Sequence, residues 1–338
     1  MSENLLYCAC CDTEITEDDN YGDEHIALCA SCYRRHYTHC ATCNRIIPID
    51  SALYLDADND DDPLCSSCYD NAQRCDGILS YYFKPTPVFY GDGPRYMGVE
   101  LEIDCAGELT KNARALLDIA NAEQPLIYCK HDGSLDDGFE IVTHPMSLNF
   151  HKDKMPWESL MAKAVQMGYR SHQANTCGIH VHVSRDAFGD NETDQDNAIA
   201  RVLYFFEKHW EELLKFSRRT PRQLERWAAR YGYKDTPGDI LSYAKKGCGP
   251  GRYVCVNLQN QDTIEFRIFR GSLKYNTLIA TLQLVDRICD VALYLSDEEL
   301  KSMSWTTFVS GCTQPELVQY LKERRLYINE PVETKEEL

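Results

Sequence analysis

Three stretches of this chain carry chemically active side chains at every second position. Residues 95–104 read RYMGVELEID, where Val99, Leu101 and Ile103 alternate with Glu100, Glu102 and Asp104. Residues 177–184 read CGIHVHVS, where His180 and His182 alternate with Ile179, Val181 and Val183. Residues 263–271 read TIEFRIFRG, with Glu265 and Arg267 on one side and Ile264, Phe266 and Ile268 on the other. A period of two marks a half-buried strand, so each stretch turns its polar set to one face. Carboxylates and imidazoles on such faces are cation ligands. An acid and a guanidinium two residues apart suit a site that holds both a cation and a phosphate. The bland counterparts are an acidic surface strip, histidines satisfied by hydrogen bonds, and a plain Glu265–Arg267 salt bridge.

Further groups join by position. Residues 126–143, LIYCKHDGSLDDGFEIVT, place a DGS turn between apolar flanks, and a hairpin there brings Asp132 near Glu140. A helical stretch over 195–216 ends in Ser217, Arg218 and Arg219 beside Pro221, where a loop can turn both arginines into a cleft. Arg222, Arg226 and Arg230 follow at helical spacing and read as a solvated face. Planar guanidinium groups clamp phosphate oxygens in bidentate fashion, which makes Arg218, Arg219, Arg267 and Arg270 the candidates for that role. Helices are expected over 110–122, 157–167, 275–295 and 315–325, a strand over 252–259, and a disordered tail from about Glu330.

The front of the chain has a different chemistry. Of 17 cysteines, ten fall between Cys8 and Cys75. Eight form CxxC pairs: Cys8 and Cys11, Cys29 and Cys32, Cys40 and Cys43, Cys65 and Cys68. A tight turn within each pair brings two sulfurs to one side, and a structural zinc takes four ligands in a tetrahedron at ~2.3 Å. Four pairs therefore make two closed zinc sites, by sequential or cross-braced pairing. Cys10 and Cys75 are bystanders, and His36 and His39 are surface residues. Roughly 70 residues with few apolar positions cannot sustain a core, so metal supplies the folding energy. Such modules bind protein partners. The acidic run at 56–62 reads as a solvated loop, and the Pro- and Gly-bearing segment 73–94 as a linker.

Composition bounds the rest. The net charge is −18, and residues 1–75 hold 15 Asp or Glu against 4 Lys or Arg. That field repels phosphate backbones, which argues against a nucleic-acid partner. No apolar run reaches the ~18 residues of a membrane span. The start, MSENLLYCAC, lacks a basic segment followed by an apolar core, so reduced thiols and a cytoplasmic location are expected. There is no GxxxxGK[ST] phosphate loop and no G-x-S-x-G elbow.

The motifs MGVELEID, KHDGSL, GFEIVTHP, CGIHVHVS, SRR and TIEFRIFRGSL, in this order over about residues 95–295, resemble the amidoligase family of bacteria, phages and fungi. That family belongs with glutamine synthetases and glutamate–cysteine ligases. Residues 6–72 resemble a LIM domain or a pair of zinc ribbons, with a longer linker and no His ligand. The resemblance implies an α+β fold in which a glutamine-synthetase-like antiparallel sheet walls a funnel, ATP entering one end and substrates the other. It implies transfer of a phosphoryl group from ATP to a carboxylate, giving an acyl phosphate that an amine attacks, with release of ADP and phosphate. By motif position, Glu102, Glu140 and Asp132 hold one magnesium ion, and Glu100, His180 and Glu265 hold the other. His182, Arg267 and Arg270 fall at the reacting groups, and Arg218, Arg219 and Arg267 at the ATP phosphates. The acid and amine are drawn from peptides, cell-wall precursors or proteins, among which nothing in the sequence selects. The implied organisation is a zinc module at 1–72, a linker at 73–94, a catalytic domain at 95–329 and a tail at 330–338. Three competing readings use the same residues: a hydrolase with zinc on His180 and His182, a thiol enzyme using Cys177, and an inactive scaffold recruited by the zinc module.

Overall fold

The alternating stretches fold as strands of one antiparallel sheet, and the CxxC pairs fold as paired turns. The computed structural model describes residues 6–23, 26–41, 43–54, 63–69, 77–81, 83–247 and 251–327. The acidic run at 56–62, Cys75 and the tail from Glu330 lie outside the described residues. The chain divides into two units, Met1–Thr86 and Pro87–Leu338.

In the smaller unit, β1 (Leu6–Tyr7) pairs with β2 (Glu14–Ile15) and β3 (Tyr37–His39) with β4 (Ile46–Pro48), both antiparallel. Each hairpin closes on the same turn. Cys8 N–H donates to Thr13 O and Asp12 N–H to Cys8 O; Cys40 N–H donates to Arg45 O and Asn44 N–H to Cys40 O. Asp12 and Asn44 both sit at positive φ, 55° and 58°, a region that short polar side chains tolerate best after glycine. Cys29 then caps α1 (Ala30–His36), its sulfur accepting from Cys32 N–H. The unit repeats one device twice. Its apolar clusters are small: Leu28 and Ile46 with Cys8, and Ile47 and Leu64 with Cys40 and Cys65.

Among the described residues the larger unit holds six strands: β5 (Met97–Ile103), β6 (Ile127–Lys130), β7 (Phe139–Thr143), β8 (Gly178–Ser184), β9 (Val256–Asn257) and β10 (Thr263–Arg270). Their order is β6-β7-β5-β8-β10-β9, antiparallel throughout. Val99, Leu101, Ile103, Ile179, Val181, Val183, Ile264 and Phe266 are fully buried. Burying each such side chain is worth roughly 1.5–3 kcal/mol. A register slip of one residue would drive the intervening glutamates and histidines into that core, so register is fixed.

Helices α2 (Thr110–Ala120), α3 (Leu148–Asp153) and α4 (Trp157–Gln166) fill the connections between the early strands. The helix expected over 195–216 is two, α5 (Glu192–Lys208) and α6 (Trp210–Ser217). The break is at His209, whose ring is buried against Phe205 and Trp305 with centroids at 4.7 and 5.7 Å. The strand expected over 252–259 shortens to β9, because Cys255 N–H donates to Ala229 O instead of continuing the ladder. Two short helices, α7 (Pro221–Trp227) and α8 (Pro237–Lys245), come after α6, and α9 (Tyr275–Tyr294) packs against α5. Short helices α10 (Asp297–Ser302) and α11 (Trp305–Ser310) precede α12 (Pro315–Glu323). Phe206 of α5 meets Phe266 and Phe216 of α6 meets Phe269, at 5.7 and 6.0 Å between ring centroids, so these helices cover the apolar face of β10. Among the described residues no helix is long and apolar enough to cross a membrane.

Candidate active site and metal sites

The opposite sheet face carries the polar residues in rows. Across β7, β5, β8 and β10, Val142 faces Glu100 and Glu100 faces His180. In the neighbouring rows Glu140 faces Glu102, and Gly98 faces His182, which faces Glu265. His180 Nδ1 lies 2.9 Å from Glu100 Oε2 and 3.7 Å from Glu265 Oε1, while its Nε2 lies 3.6 Å from Glu102 Oε1. His182 Nε2 lies 3.1 Å from Glu100 Oε1, and its Nδ1 3.1 Å from Thr263 Oγ1. Glu265 also accepts from Asn257, Asn260 and the guanidinium of Arg267.

Register explains how Arg270 joins this face. Strict alternation from Glu265 and Arg267 would send residue 270 into the core. Phe266 faces Val181 and Phe269 faces Ile179, so two residues of β10 stand opposite His180 alone. This bulge, an extra residue that re-aims the remainder of its strand, leaves Ile268 and Phe269 both buried and sets Arg270 opposite Gly178. Gly178 is needed for another reason. A Cβ there would stand 2.4 Å from a terminal nitrogen of Arg219 and 3.0 Å from His180 Nε2. The missing side chain is the seat of Arg219, which is held by a bond from its Nε to Phe269 O at 3.2 Å.

The electrostatics of the carboxylates diverge. Burial would raise the pKa of Glu100, but His182 and His180 outweigh it and hold the carboxyl well below its usual range. Glu265 is likewise lowered against burial by His182 and Arg267. Glu140 is pushed well above the usual range by burial and the Glu100 charge, against the pull of Lys130, whose Nζ lies 3.2 Å away. Glu102 is raised by burial and Asp132, although His180 and Arg219 oppose the shift. His182 is raised, the Glu100 charge overcoming burial. Two carboxylates are thus held ionised beside His180, and two more sit in surroundings that penalise their charge.

Among the described residues, three groups of ligand atoms lie within 4.8 Å of one another: Glu100 with His180 and Glu265, and two cysteine quartets. Glu102, Glu140 and Asp132 do not form such a group. Glu102 accepts from Gly178 N–H, Glu140 pairs with Lys130, and Asp132 caps its own turn through Ser134 N–H at 2.7 Å. Arg218 lies outside the row, at the end of α6 with φ 63°, its carbonyl accepting from Arg270.

Asp104, which the alternation groups with Glu100 and Glu102 as a cation-binding carboxylate, is not in the metal-ligand group. Asp104 is buried and accepts from the N–H groups of Cys105, Asp136 and Asp137 and from the hydroxyl of Thr176. It ties the β6–β7 turn to the end of β5. Its place in an alternating acidic strand was visible, but the partners that consume its charge were not. Cys177 is buried, which pushes its thiol up and away from nucleophilic use.

The cysteine quartets are Cys8, Cys11, Cys29 and Cys32, and Cys40, Cys43, Cys65 and Cys68. Pairing is sequential. Cys11 and Cys29 sulfurs stand 3.8 Å apart, as do those of Cys43 and Cys65. A tetrahedron with arms of ~2.3 Å has edges of ~3.8 Å, whereas a disulfide needs ~2.05 Å. Both quartets fit structural zinc.

The family described as "Putative amidoligase enzyme" matches residues 120–289, half of the chain. That segment includes Glu140, His180, His182, Glu265, Arg267 and Arg270 and stops short of β5, which brings Glu100 and Glu102. The chain belongs to the amidoligase family. Among solved structures, this amidoligase is similar to a chain in the crystal structure of the complex between Prokaryotic Ubiquitin-like Protein Pup and its Ligase PafA. Identity is 10% with a TM-score of 0.30, and the alignment covers 68% of this chain and 56% of that one. The alignment therefore spans little more than half the length of that relative. No curated protein matches.

Proposed function

We propose that this amidoligase is an ATP-dependent carboxylate–amine ligase working through an acyl phosphate, on a glutamine-synthetase-like sheet. The observation that carries the reading is the shared face of β5, β8 and β10. It gathers Glu100, His180 and Glu265 within 4.8 Å and flanks them with the guanidinium groups of Arg267 and Arg219. Two ionised carboxylates and an imidazole are a donor set for magnesium or manganese. Bound there, the ion would neutralise phosphate charge. Its positive charge would also offset the repulsion among the acids on this face, where burial and neighbouring carboxylates push Glu102 and Glu140 up.

In this reading a carboxylate oxygen of the acid attacks the γ-phosphorus of ATP and ADP leaves. The amine then attacks the acyl carbon, phosphate leaves, and the amine proton is lost. Phosphoryl transfer needs positioning and charge neutralisation more than a nucleophilic side chain. Arg219 and Arg267 hold phosphate oxygens, Arg270 the acyl group, and His182, fixed between Glu100 and Thr263, faces the reacting centre. No hydrolase reading gives these arginines a task. The cysteine-rich unit, spanning about residues 1–72 and joined through 73–94, serves target or partner binding.

The test is protection from heat by Mg-ATP in wild type and in Glu265→Gln. A ligand at ~100 times its Kd adds about 2.7 kcal/mol, a rise of roughly 5–11 °C for a unit of this size. Protection in wild type alone is expected, together with ADP release when acids and hydroxylamine are supplied. Equal behaviour of the two proteins overturns the reading.

A further inference from the structure

Beside Arg219 the larger unit opens into a cleft of about 530 Å³, a volume typical of small-molecule sites. Its walls present Lys215, Arg218, Arg219, Arg270, Arg324 and His172, with Glu211 as the one acid. In a chain of net charge −18 this concentration of cations has no compositional explanation. Nor are these cations consumed internally. Among the described residues, none of the five Lys or Arg side chains forms an ion pair. Arg324 donates through Nε and a terminal nitrogen to Lys215 O, at 3.1 and 2.8 Å. Lys215 Nζ donates to Arg325 O, and Arg270 to Arg218 O and Asn175 Oδ1. Carbonyl and amide partners fix Lys215, Arg219, Arg270 and Arg324 in place without an ion pair. Arg270 Nε is buried with no partner at all.

The cleft shares Arg219 and Arg270 with the candidate active site, while Lys215, Arg324 and His172 extend it away from the metal-ligand group. Building on the ligase reading, we propose that the cleft is a subsite for further anionic groups of the acid substrate. One carboxylate is activated beside Glu100, His180 and Glu265, and its neighbours lie against Lys215, Arg218 and Arg324. The substrate is therefore a polyanion, of which a peptide with adjacent carboxylates is the preferred class; a phosphate ester supplies the same chemistry. A simple monocarboxylate would leave Lys215, Arg218 and Arg324 without a counter-charge in the cleft. The lowered pKa of His172, about 4 under burial and the charges of Arg218, Arg270 and Arg324, fits a pocket awaiting negative charge.

Calorimetric titration of the zinc-loaded full chain with triglutamate, O-phosphoserine and triglutamine tests this. Wild type, Arg324→Ala and Lys215→Gln are compared, with heat protection by Mg-ATP measured on each. Lys215 is exposed, so its variant guards against misfolding as an explanation. Triglutamate or O-phosphoserine binding to wild type, about tenfold weaker in both variants, supports the proposal, and the tighter probe names the source of charge. Binding equal in all three proteins, equal affinity for triglutamine, or no binding at millimolar probe overturns it. Loss of Mg-ATP protection in Arg324→Ala gives the cleft to the nucleotide, which overturns the substrate subsite and leaves the ligase reading standing. Absence of Mg-ATP protection in wild type removes the ligase reading, and the substrate assignment with it, even if triglutamate still binds.

Discussion

Gly178 and Arg219 show how a site depends on an atom that is not there. Adding a methyl at Gly178 displaces the far end of a long side chain, not backbone, so the protein should still fold. Arg219 would lose its seat beside His180. Gly178→Ala is therefore expected to change stability by less than about 1 kcal/mol and to lower kcat by ~10²-fold, the cost of removing one charge-stabilising group. Urea unfolding alongside steady-state kinetics checks both halves. His151 offers a prediction away from the site. It is fully buried, bonded through Nε2 to Met97 O at 2.9 Å, and burial lowers its pKa from 6.5 to about 4. The unfolded state takes up a proton below about pH 6.5 and the folded state does not until about pH 4. The stability this neutral ring permits is thus present above pH 6.5 and lost as the pH falls towards 4, at about 1.4 kcal/mol per pH unit. His151→Gln should flatten that slope in urea titrations run between pH 7.5 and 5.

At the scale of elements, the β6–β7 turn is ordered by Asp104 from another strand. Asp104→Ala leaves three N–H groups and a hydroxyl without their acceptor. A loss of about 2–4 kcal/mol in unfolding free energy is expected, since hydrogen bonds to a charged group are worth ~1.5–3 kcal/mol each and do not add fully. Limited proteolysis should then cut within 131–137 first. How far sequence foretold such elements varied with the range of the interaction. The strands β5, β8 and β10 were legible because period-two alternation is local, and the placing of Glu100, His180 and Glu265 on one face followed from parity. Arg270 was legible only as a residue type, because the bulge that brings it round depends on which residues of β8 it meets. The break at His209 depends on Trp305, almost a hundred residues later, and no local pattern carries it. Helices α7 and α10 did have a local signal in Thr220 with Gln223 and Ser296 with Glu299, both capping boxes. The grouping of Cys8 with Cys29 rather than with Cys40 was open, since spacing allows both.

For the whole molecule, metal content is the sharpest quantity. Two quartets with sulfur edges of 3.8 Å predict two zinc ions per chain, readable by metal analysis. The hairpin turns at Cys8 and Cys40 are built alike but sit on separate apolar clusters. Cys8→Ser and Cys40→Ser should therefore each lose one ion and keep the other, and strong chelation should unfold the smaller unit, whose clusters are too small to hold it. Loss of both ions from either single variant would show that the two turns fold as one.

The arrangement of the sheet sets a timetable. Its catalytic face is completed by β10, the last strand in sequence, whereas Glu100 stands on β5, the first of the six. At ~5–20 residues per second of synthesis, Glu265 leaves the ribosome on the order of ten seconds after Glu100. A nascent chain in that interval lacks Glu265, the third member of the group with Glu100 and His180. On the proposed ligase reading such a chain has an incomplete metal-ligand group, and activity is expected only once β10 has joined the sheet.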